Sequence, residues 1–251
     1  MIYITGDTHG SFQRLSTKNF PEQREMTRDD YLIICGDFGL IWDVGAESKE
    51  EKYWLKWFEE KPFTLLFIDG NHENFDKLYS YPVKEWHGGK VHVIREHVLH
   101  LMRGQVFTID GKKFFTFGGA RSHDITGGIL DRDDPDFLKK KRELDRDCMM
   151  YRINHESWWE QELASEEEME EGLENLKLND HMVDYIITHC CSSGTQKVLD
   201  SRRFKPDKVT DYLETVKKST AYKKWFFGHY HDDGDVNDKE RLIYEQIIRI
   251  E

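Results

Sequence analysis

Five short polar loops of Asp, Asn and His punctuate the 251-residue chain where apolar runs end. They are Gly6-Asp7-Thr8-His9, Gly36-Asp37-Phe38-Gly39, Gly70-Asn71-His72-Glu73, His189, and Gly228-His229-Tyr230-His231. Imidazole nitrogen mixed with carboxylate oxygen suits a borderline divalent or trivalent metal, and the set as a whole suits two ions. Five of the twelve histidines stand in these loops, counting His72. His229 and His231 are two apart in an extended segment, so their side chains share a face and can approach one metal centre. A lone Asp-x-His is weak evidence. Five such loops in one chain are strong evidence.

The elements that must hold these loops are legible in the runs before them. Ile2-Tyr3-Ile4, Tyr31-Leu32-Ile33-Ile34-Cys35, Thr64-Leu65-Leu66-Phe67-Ile68, Asp184-Tyr185-Ile186-Ile187-Thr188 and Trp225-Phe226-Phe227 are continuous apolar, β-branched and aromatic stretches. Such stretches read as buried strands. Each polar loop then sits just past the carboxyl end of a strand, where open α/β sheets place their ligands. Lys49 to Glu60 reads as a helix, with Tyr53, Trp54, Trp57 and Phe58 at helical spacing as a core stripe. Val91 to Gly118 alternates apolar and polar residues around turns at Arg103-Gly104 and Asp110-Gly111. It predicts a meander of antiparallel strands in a second sheet. Arg241 to Glu251 predicts the final strand.

Asp124 to Asp180 differs in character. It carries the basic run Lys139-Lys140-Lys141-Arg142 and the acidic runs Glu166-Glu167-Glu168 and Glu170-Glu171, which read as solvated helical faces. Ser157-x-x-Glu160 and Ser165-x-x-Glu168 both fit capping boxes. A helical insertion at about 124–180, lying over the sheet edges and forming part of a substrate wall, is the expectation. Neither an internal repeat nor a low-complexity linker divides the chain, so residues 1–251 read as one domain.

The loops, in this order from residue 6 to residue 231, resemble the GDxH, GDxxx, GNH(D/E), H and GHxH blocks of the calcineurin-like metallophosphoesterase superfamily. The Gly118-Gly119-Ala120-Arg121-Ser122 turn and Ser157-Trp158-Trp159 resemble a bacterial and phage-type subgroup. The resemblance implies an α/β fold, a four-layer α/β/β/α sandwich of two mixed sheets flanked by helices, with a dinuclear metal site at the strand C-terminal ends. It implies that Asp7, His9 and His231 bind one metal, that Asn71, His189 and His229 bind the other, and that Asp37 bridges them. Two divalent or mixed-valence ions, Mn, Fe or Zn, suit this ligand set. Such a pair can clamp the attacking and leaving oxygens of an in-line displacement. A metal-bridging hydroxide would then hydrolyse a phosphate mono- or diester. His72 would be the general acid, because an alkoxide leaves poorly at neutral pH without a proton.

Two departures qualify the resemblance. Relatives that act as Ser/Thr protein phosphatases extend the second block to GDxxDRG, but Leu40 and Ile41 stand where the Asp and Arg would be. Leu40 also stands where purple acid phosphatases place a Tyr ligand, so no tyrosinate–iron colour is expected. Another residue must therefore orient His72 and grip the substrate's oxygens. Arg121 is the candidate phosphate binder, since a guanidinium forks two bonds to phosphate. His123 is a candidate substrate contact, and Asp43 a candidate partner for His72. His87, His92, His97, His100, His155 and His181 lack partner spacing and read as surface or packing residues.

Composition sets the outer bounds. Lys and Arg number 36 against 48 Asp and Glu, a formal net charge of −12, which disfavours a broad grip on nucleic acid. Lys139 to Arg142 and Arg202-Arg203 leave room for a local basic groove. A 38% hydrophobic content supplies a sizeable core, yet no run approaches the roughly 18 apolar residues of a membrane helix. The N-terminus has no signal-peptide pattern. Cys35, Cys148, Cys190 and Cys191 show no CxxC spacing and read as free thiols, so a cytoplasmic location is expected. The expected partner is a phosphorylated small or moderate-sized molecule, without a membrane. The rival readings are a nuclease and a non-catalytic metal-binding scaffold for protein assembly. Retention of His72 beside the full donor set favours an enzyme, and structural zinc sites favour cysteine.

Overall fold

The computed structural model describes residues 1–200, 202 and 204–250. β1 (Ile2–Thr5), β2 (Tyr31–Ile34) and β3 (Thr64–Phe67) run parallel side by side, with α1 (Lys49–Glu59) in the connection between the last two. A one-turn helix, α2 (Phe75–Leu78), leads into β4 (Val83–Trp86), β5 (Gly89–Arg95) and β6 (Val98–Leu101). These three are antiparallel neighbours, and β6 returns parallel beside β3. The hairpin β7 (Gln105–Ile109) and β8 (Lys112–Phe117) opens a second sheet.

The 124–180 segment follows, with β9 (Ile129–Leu130), α3 (Phe137–Arg146), β10 (Arg152–Ile153) and α4 (Glu166–Leu178). The chain then re-enters the second sheet through β11 (Tyr185–Thr188), passes α5 (Ser193–Asp200) and α6 (Lys208–Ser219), and continues into β12 (Lys224–Phe227). β13 (Gly234–Asp235), β14 (Glu240–Leu242) and β15 (Ile247–Ile250) finish it. The sheet orders are β15-β1-β2-β3-β6-β5-β4 and β13-β14-β12-β11-β8-β7, with β10-β9 a separate pair.

Period-two alternation makes this a layered structure. Ile2, Ile4, Ile33 and Leu66 point one way from the first sheet and meet Phe107, Phe114, Ile187 and Phe226 from the second. On the outer face of the first sheet, Leu32, Ile34, Leu65 and Phe67 pack against Leu55 and Phe58 of α1. Across the outer face of the second, Phe115, Ile186, Trp225 and Phe227 pack against Leu176 of α4 and Val209, Leu213 and Val216 of α6. Three apolar seams thus separate four layers, and the fold is an α/β sandwich of two mixed sheets flanked by helices.

Four sequence expectations need correction. The Val91–Gly118 meander is split, because β5 and β6 complete the first sheet and only β7 and β8 belong to the second. Arg241–Glu251 holds parts of two strands, since β14 pairs in the second sheet and β15 crosses to pair antiparallel with β1; Glu251 lies outside the described residues. Tyr53 is 62% exposed, while Phe58 is buried with Leu55 and Glu51, and Trp54 and Trp57 are half-buried against the same core. Ser165 forms the expected capping box with Glu168. Ser157 does not, because its hydroxyl accepts the Ile153 N–H at 2.9 Å and a 3-10 turn begins only at Glu160.

The basic run Lys139–Arg142 lies on the largely exposed α3, as a solvated face should. Of the Arg202-Arg203 pair, Arg203 lies outside the described residues. Among the described residues, no helix is long and apolar enough to cross a membrane.

Candidate metal centre

Parallel pairing brings the loops together. β1, β2 and β3 are in-register neighbours, so the loops carrying Asp7, Asp37 and Asn71 leave the same edge. β11 and β12 are parallel neighbours in the facing sheet and deliver His189 and His229 to that edge.

Close approach explains the glycines in these blocks. A Cβ on Gly70 would lie 2.0 Å from Asp37 Oδ1, and one on Gly228 would lie 2.0 Å from Asp7 Oδ1. Each glycine makes room for a carboxylate from another loop.

Asp7, His9, Asp37 and His231 place one donor atom each within 4.8 Å of one another. His231 Nε2 is 3.3 Å from Asp7 Oδ2, His9 Nε2 is 3.7 Å from Asp37 Oδ2, and the two imidazole Nε2 atoms are 3.0 Å apart. The other oxygen of Asp37 faces a second group: His189 Nε2 lies 3.4 Å from Asp37 Oδ1 and 3.3 Å from Asn71 Oδ1. His189 and His229 meet edge-on with ring centroids 5.0 Å apart. His189 Nδ1 donates to the Cys35 carbonyl at 2.9 Å, which aims Nε2 at the carboxylates. Asp37 therefore stands between two donor groups. Two carboxylates, an amide oxygen and four imidazoles converge here, a donor set that fits borderline metal cations.

The loops are held in costly conformations. His9, Asp37, His229 and His231 have φ of 46°, 45°, 70° and 53°, in the left-handed region that non-glycine residues seldom adopt. Such strain persists where the surroundings over-determine it. Here the Thr8 and His9 N–H groups both donate to the Asp37 carbonyl, at 3.0 and 2.8 Å. The His229 N–H donates to the Asp7 carboxylate at 3.0 Å, and the His72 N–H to Asp37 Oδ1 at 2.8 Å. Glu73 Oε1 accepts from the Phe38 N–H at 2.7 Å and ties the third loop to the second. Arg14 fastens the carbonyls of Gly6, Asp7 and Tyr244, and His231 stacks on the Tyr244 ring.

Charge in the centre is strongly coupled. Burial pushes the Asp37 carboxyl up, but the imidazoles of His189, His72 and His9 outweigh it and hold it well below the ordinary value. Burial opposes a proton on His189, yet Asp37 and Asp7 prevail and raise it to about 10. The hydrogen bond to Asp7 raises His231. Burial, reinforced by His189 and His123, keeps His229 well below the usual imidazole value. These electrostatics attract cations to the carboxylate side.

His72 stands apart from the donor group. Its ring meets His9 edge-on at 4.9 Å and lies against Trp42 at 5.9 Å. Burial lowers its pKa; Asp37 opposes this and Arg152 adds to it. His123 reaches the centre from the opposite side, with Nε2 2.9 Å from His229 Nε2. Arg121 is exposed and lines a cavity of about 260 Å³ with Ser122, His123, Gln196, Lys205 and His229. Asp43 offers its carbonyl to Asn74 and Lys77 and stands exposed.

Sequence reasoning missed a supporting shell. The Asn71 amide donates to Ser122 Oγ at 3.4 Å, and Ser122 donates to Glu162 at 2.6 Å. Arg152 lies against His72 and pairs with Asp124. The only local signal was the Gly118-Gly119 turn, which marked Arg121 rather than its neighbour Ser122.

The family model for calcineurin-like phosphoesterases matches residues 1–233. The chain belongs to the calcineurin-like phosphoesterase family. The donor cluster of Asp7, His9, Asp37 and His231 lies within the matched residues. Among curated proteins, the chain is similar to lariat debranching enzyme A of Xenopus laevis, 24% identical over 144 residues. That match covers 52% of this chain and 26% of the relative. It is also similar to the lariat debranching enzymes of Drosophila pseudoobscura pseudoobscura, 26% identical, and Gallus gallus, 23% identical, each over 140 residues. Those matches cover 51% of this chain and 25% of each relative. The matched region spans about a quarter of these curated relatives.

Proposed function

We propose that this calcineurin-like phosphoesterase hydrolyses phosphate diesters at a dinuclear metal centre with His72 as general acid. The observation that carries the reading is the position of Asp37, with one oxygen toward Asp7, His9 and His231 and the other toward Asn71 and His189. Asp7, His9 and His231 would hold one cation, Asn71, His189 and His229 the other, and Asp37 both; such a pair acidifies a water and offsets charge on phosphoryl oxygens. Mn, Fe and Zn all suit these donors.

The remaining work falls to the chain's own side chains. His72 is anchored through its backbone N–H to Asp37, with its ring outside the donor group, so an imidazolium proton is directed at a leaving oxygen. The 124–180 insertion walls the His72 side, while Arg121 and His123 wall the other as substrate contacts. A centre with walls on two sides suits an ester with two substituents. Residues 1–251 serve as one catalytic unit in this reading.

The curated relatives are named as lariat debranching enzymes, which favours a second reading in which the diester is in a nucleic acid. The net charge of −12 weighs against broad electrostatic binding of such a chain.

The test is hydrolysis of bis-p-nitrophenyl phosphate and p-nitrophenyl phosphate by metal-stripped protein with Mn²⁺ added back. Mn²⁺-dependent turnover that is faster on the diester is expected. Faster turnover of the monoester would overturn the diester assignment. Silence on both, with two ions bound by elemental analysis, would favour the scaffold. Salt-sensitive cleavage of single-stranded RNA would favour the nuclease.

A further inference from the structure

Arg152 opens β10, inside the 124–180 segment, and is only 7% exposed. Nε and Nη2 donate to the two carboxylate oxygens of Asp124 at 2.8 and 2.7 Å, and Nη1 donates to the Ser157 carbonyl at 2.8 Å. Three bonds thus fix the plane of the guanidinium. One N–H on each terminal nitrogen remains beyond them.

Nη2 lies 3.3 Å from His72 Nε2 and 3.5 Å from His72 Nδ1. Near-equal distances to both ring nitrogens mean that the second Nη2 N–H is shared between them. The second N–H of Nη1 is then the one left for a further acceptor. The arrangement presents a rigid cationic donor beside the ring that faces the leaving group.

We propose that Arg152, clamped by Asp124, grips a non-bridging phosphoryl oxygen of the ester beside His72. The assignment rests on the reading of the centre as a phosphoesterase site and adds a specificity residue to it. It gives the 124–180 segment a chemical task, since Arg152, Asp124 and Ser157 all belong to that segment. It also supplies the phosphate grip that the absent GDxxDRG arginine leaves open. A guanidinium suits this task because its fork matches phosphate and its charge is permanent. Arg121 is exposed on the lining of a cavity with Ser122 and His123.

The experiment is binding of inorganic phosphate to Mn²⁺-loaded protein by titration calorimetry, alongside the kinetics of bis-p-nitrophenyl phosphate. Arg152→Ala is expected to weaken phosphate about 10- to 100-fold, the range for losing a charge-assisted hydrogen bond, with both metals retained. Asp124→Asn should give a smaller loss of the same kind, because it loosens the clamp and keeps the donor. Added guanidinium should restore part of the Arg152→Ala turnover, which a purely structural defect would not allow. Lys139→Ala, on the exposed helix α3, should change phosphate affinity less than about twofold.

Phosphate affinity unchanged in Arg152→Ala, or lost equally in Lys139→Ala, would overturn the assignment. If Arg152→Ala fails to fold, Arg152→Lys takes its place: a folded, metal-loaded Lys variant with wild-type phosphate affinity would overturn it as well. Because calorimetry needs no turnover, a wild type that binds phosphate through Arg152 but hydrolyses neither ester would overturn the hydrolase reading and leave this one standing.

Discussion

Asp69 and Asn71 are two residues apart, yet the polar clusters they belong to are built on opposite principles. Around Asp69 the chain supplies its own cation. Asp69 Oδ2 accepts from Arg103 Nε and Nη2 at 2.9 and 2.6 Å, and Oδ1 accepts from His100 Nε2 at 3.0 Å. His100 Nδ1 in turn meets His92 Nδ1 at 2.9 Å, so the imidazoles can relay hydrogen bonds without either being charged. Burial pushes the Asp69 carboxyl up, but Arg103 and His100 outweigh it and hold it well below the ordinary value.

At the strand-end centre the same residue types meet, and among the described residues the ion-pair partners of both carboxylates are imidazoles. Two carboxylates face imidazoles, and nitrogen faces nitrogen at 3.0 Å between His9 and His231 and at 2.9 Å between His123 and His229. Of these imidazoles, His189 is the foremost partner of the carboxylates. A buried carboxylate paired with its own arginine is structural; one that faces several imidazole nitrogens belongs to a donor set that fits a metal cation. Arg103 also bonds Glu168 and the Gln161 carbonyl, so the first cluster pins α4 and the turn before it to the sheets.

The sharpest way to break this contrast is Arg103→Ala. It leaves Asp69 buried and unpaired, and a loss of about 3–5 kcal/mol in urea unfolding is expected. Metal affinity should fall far less. If metal is lost in proportion to stability, the two clusters are one cooperative unit and the contrast fails.

Asp37→Ala should do the reverse. Metal affinity is expected to fall more than about 100-fold, beyond the range typical of partners that only orient a ligand. The loss of stability without metal should be smaller than in Arg103→Ala, because the variant leaves the His72 N–H and the His189 imidazole without the Asp37 carboxylate but strands no guanidinium or unpaired buried charge of the Asp69 kind. Full metal content and activity in that variant would remove Asp37 from the centre.

Gly228→Ala probes the close approach, because the new Cβ would sit 2.0 Å from Asp7 Oδ1. A roughly 10- to 100-fold loss of metal affinity is expected, as for disturbed outer partners. Gly234→Ala, where nothing lies within 4 Å of the new Cβ, is the control and should bind metal normally. Equal behaviour of the two would show that Asp7 is free to move.

The smallest expected effect concerns acid. Burial, with His100 adding to it, lowers His92 from 6.5 to about 3. The fold favours neutral His92, so the stability it contributes is complete above 6.5 and is lost as pH falls from there toward 3. In urea melts between pH 7 and pH 4, His92→Asn should show a shallower acid slope than the wild type. Identical slopes would mean that the strand-end histidines alone set the acid limb.

Much of the centre was legible because its donors sit in local words of the sequence. Asp7, His9, Asp37, Asn71, His189, His229 and His231, with His72 beside them, each follow a strand by a few residues, and parallel in-register pairing gathers strand ends at one edge. Strands declare themselves through short-range apolar runs, so that edge could be inferred. The meander was harder, because alternation shows that β5 to β8 are strands without showing which sheet each one joins. Sheet membership depends on partners distant in sequence, as when β6 pairs with β3 and β15 with β1.

Residue types and spacing by themselves marked the strands and the donor loops at their ends, since apolar runs and the loops that end them are local properties; the layered fold and the phosphoesterase chemistry followed from the resemblance of those loops to the family's blocks. Tertiary structure alone decided which arginine stands beside His72. Arg152 is 80 residues from it in the chain, and no periodicity encodes where a segment of such length folds back. Tertiary structure also decided which buried aspartate is neutralised by the protein, because that depends on whether Arg103 or a ring of imidazoles arrives at the carboxylate.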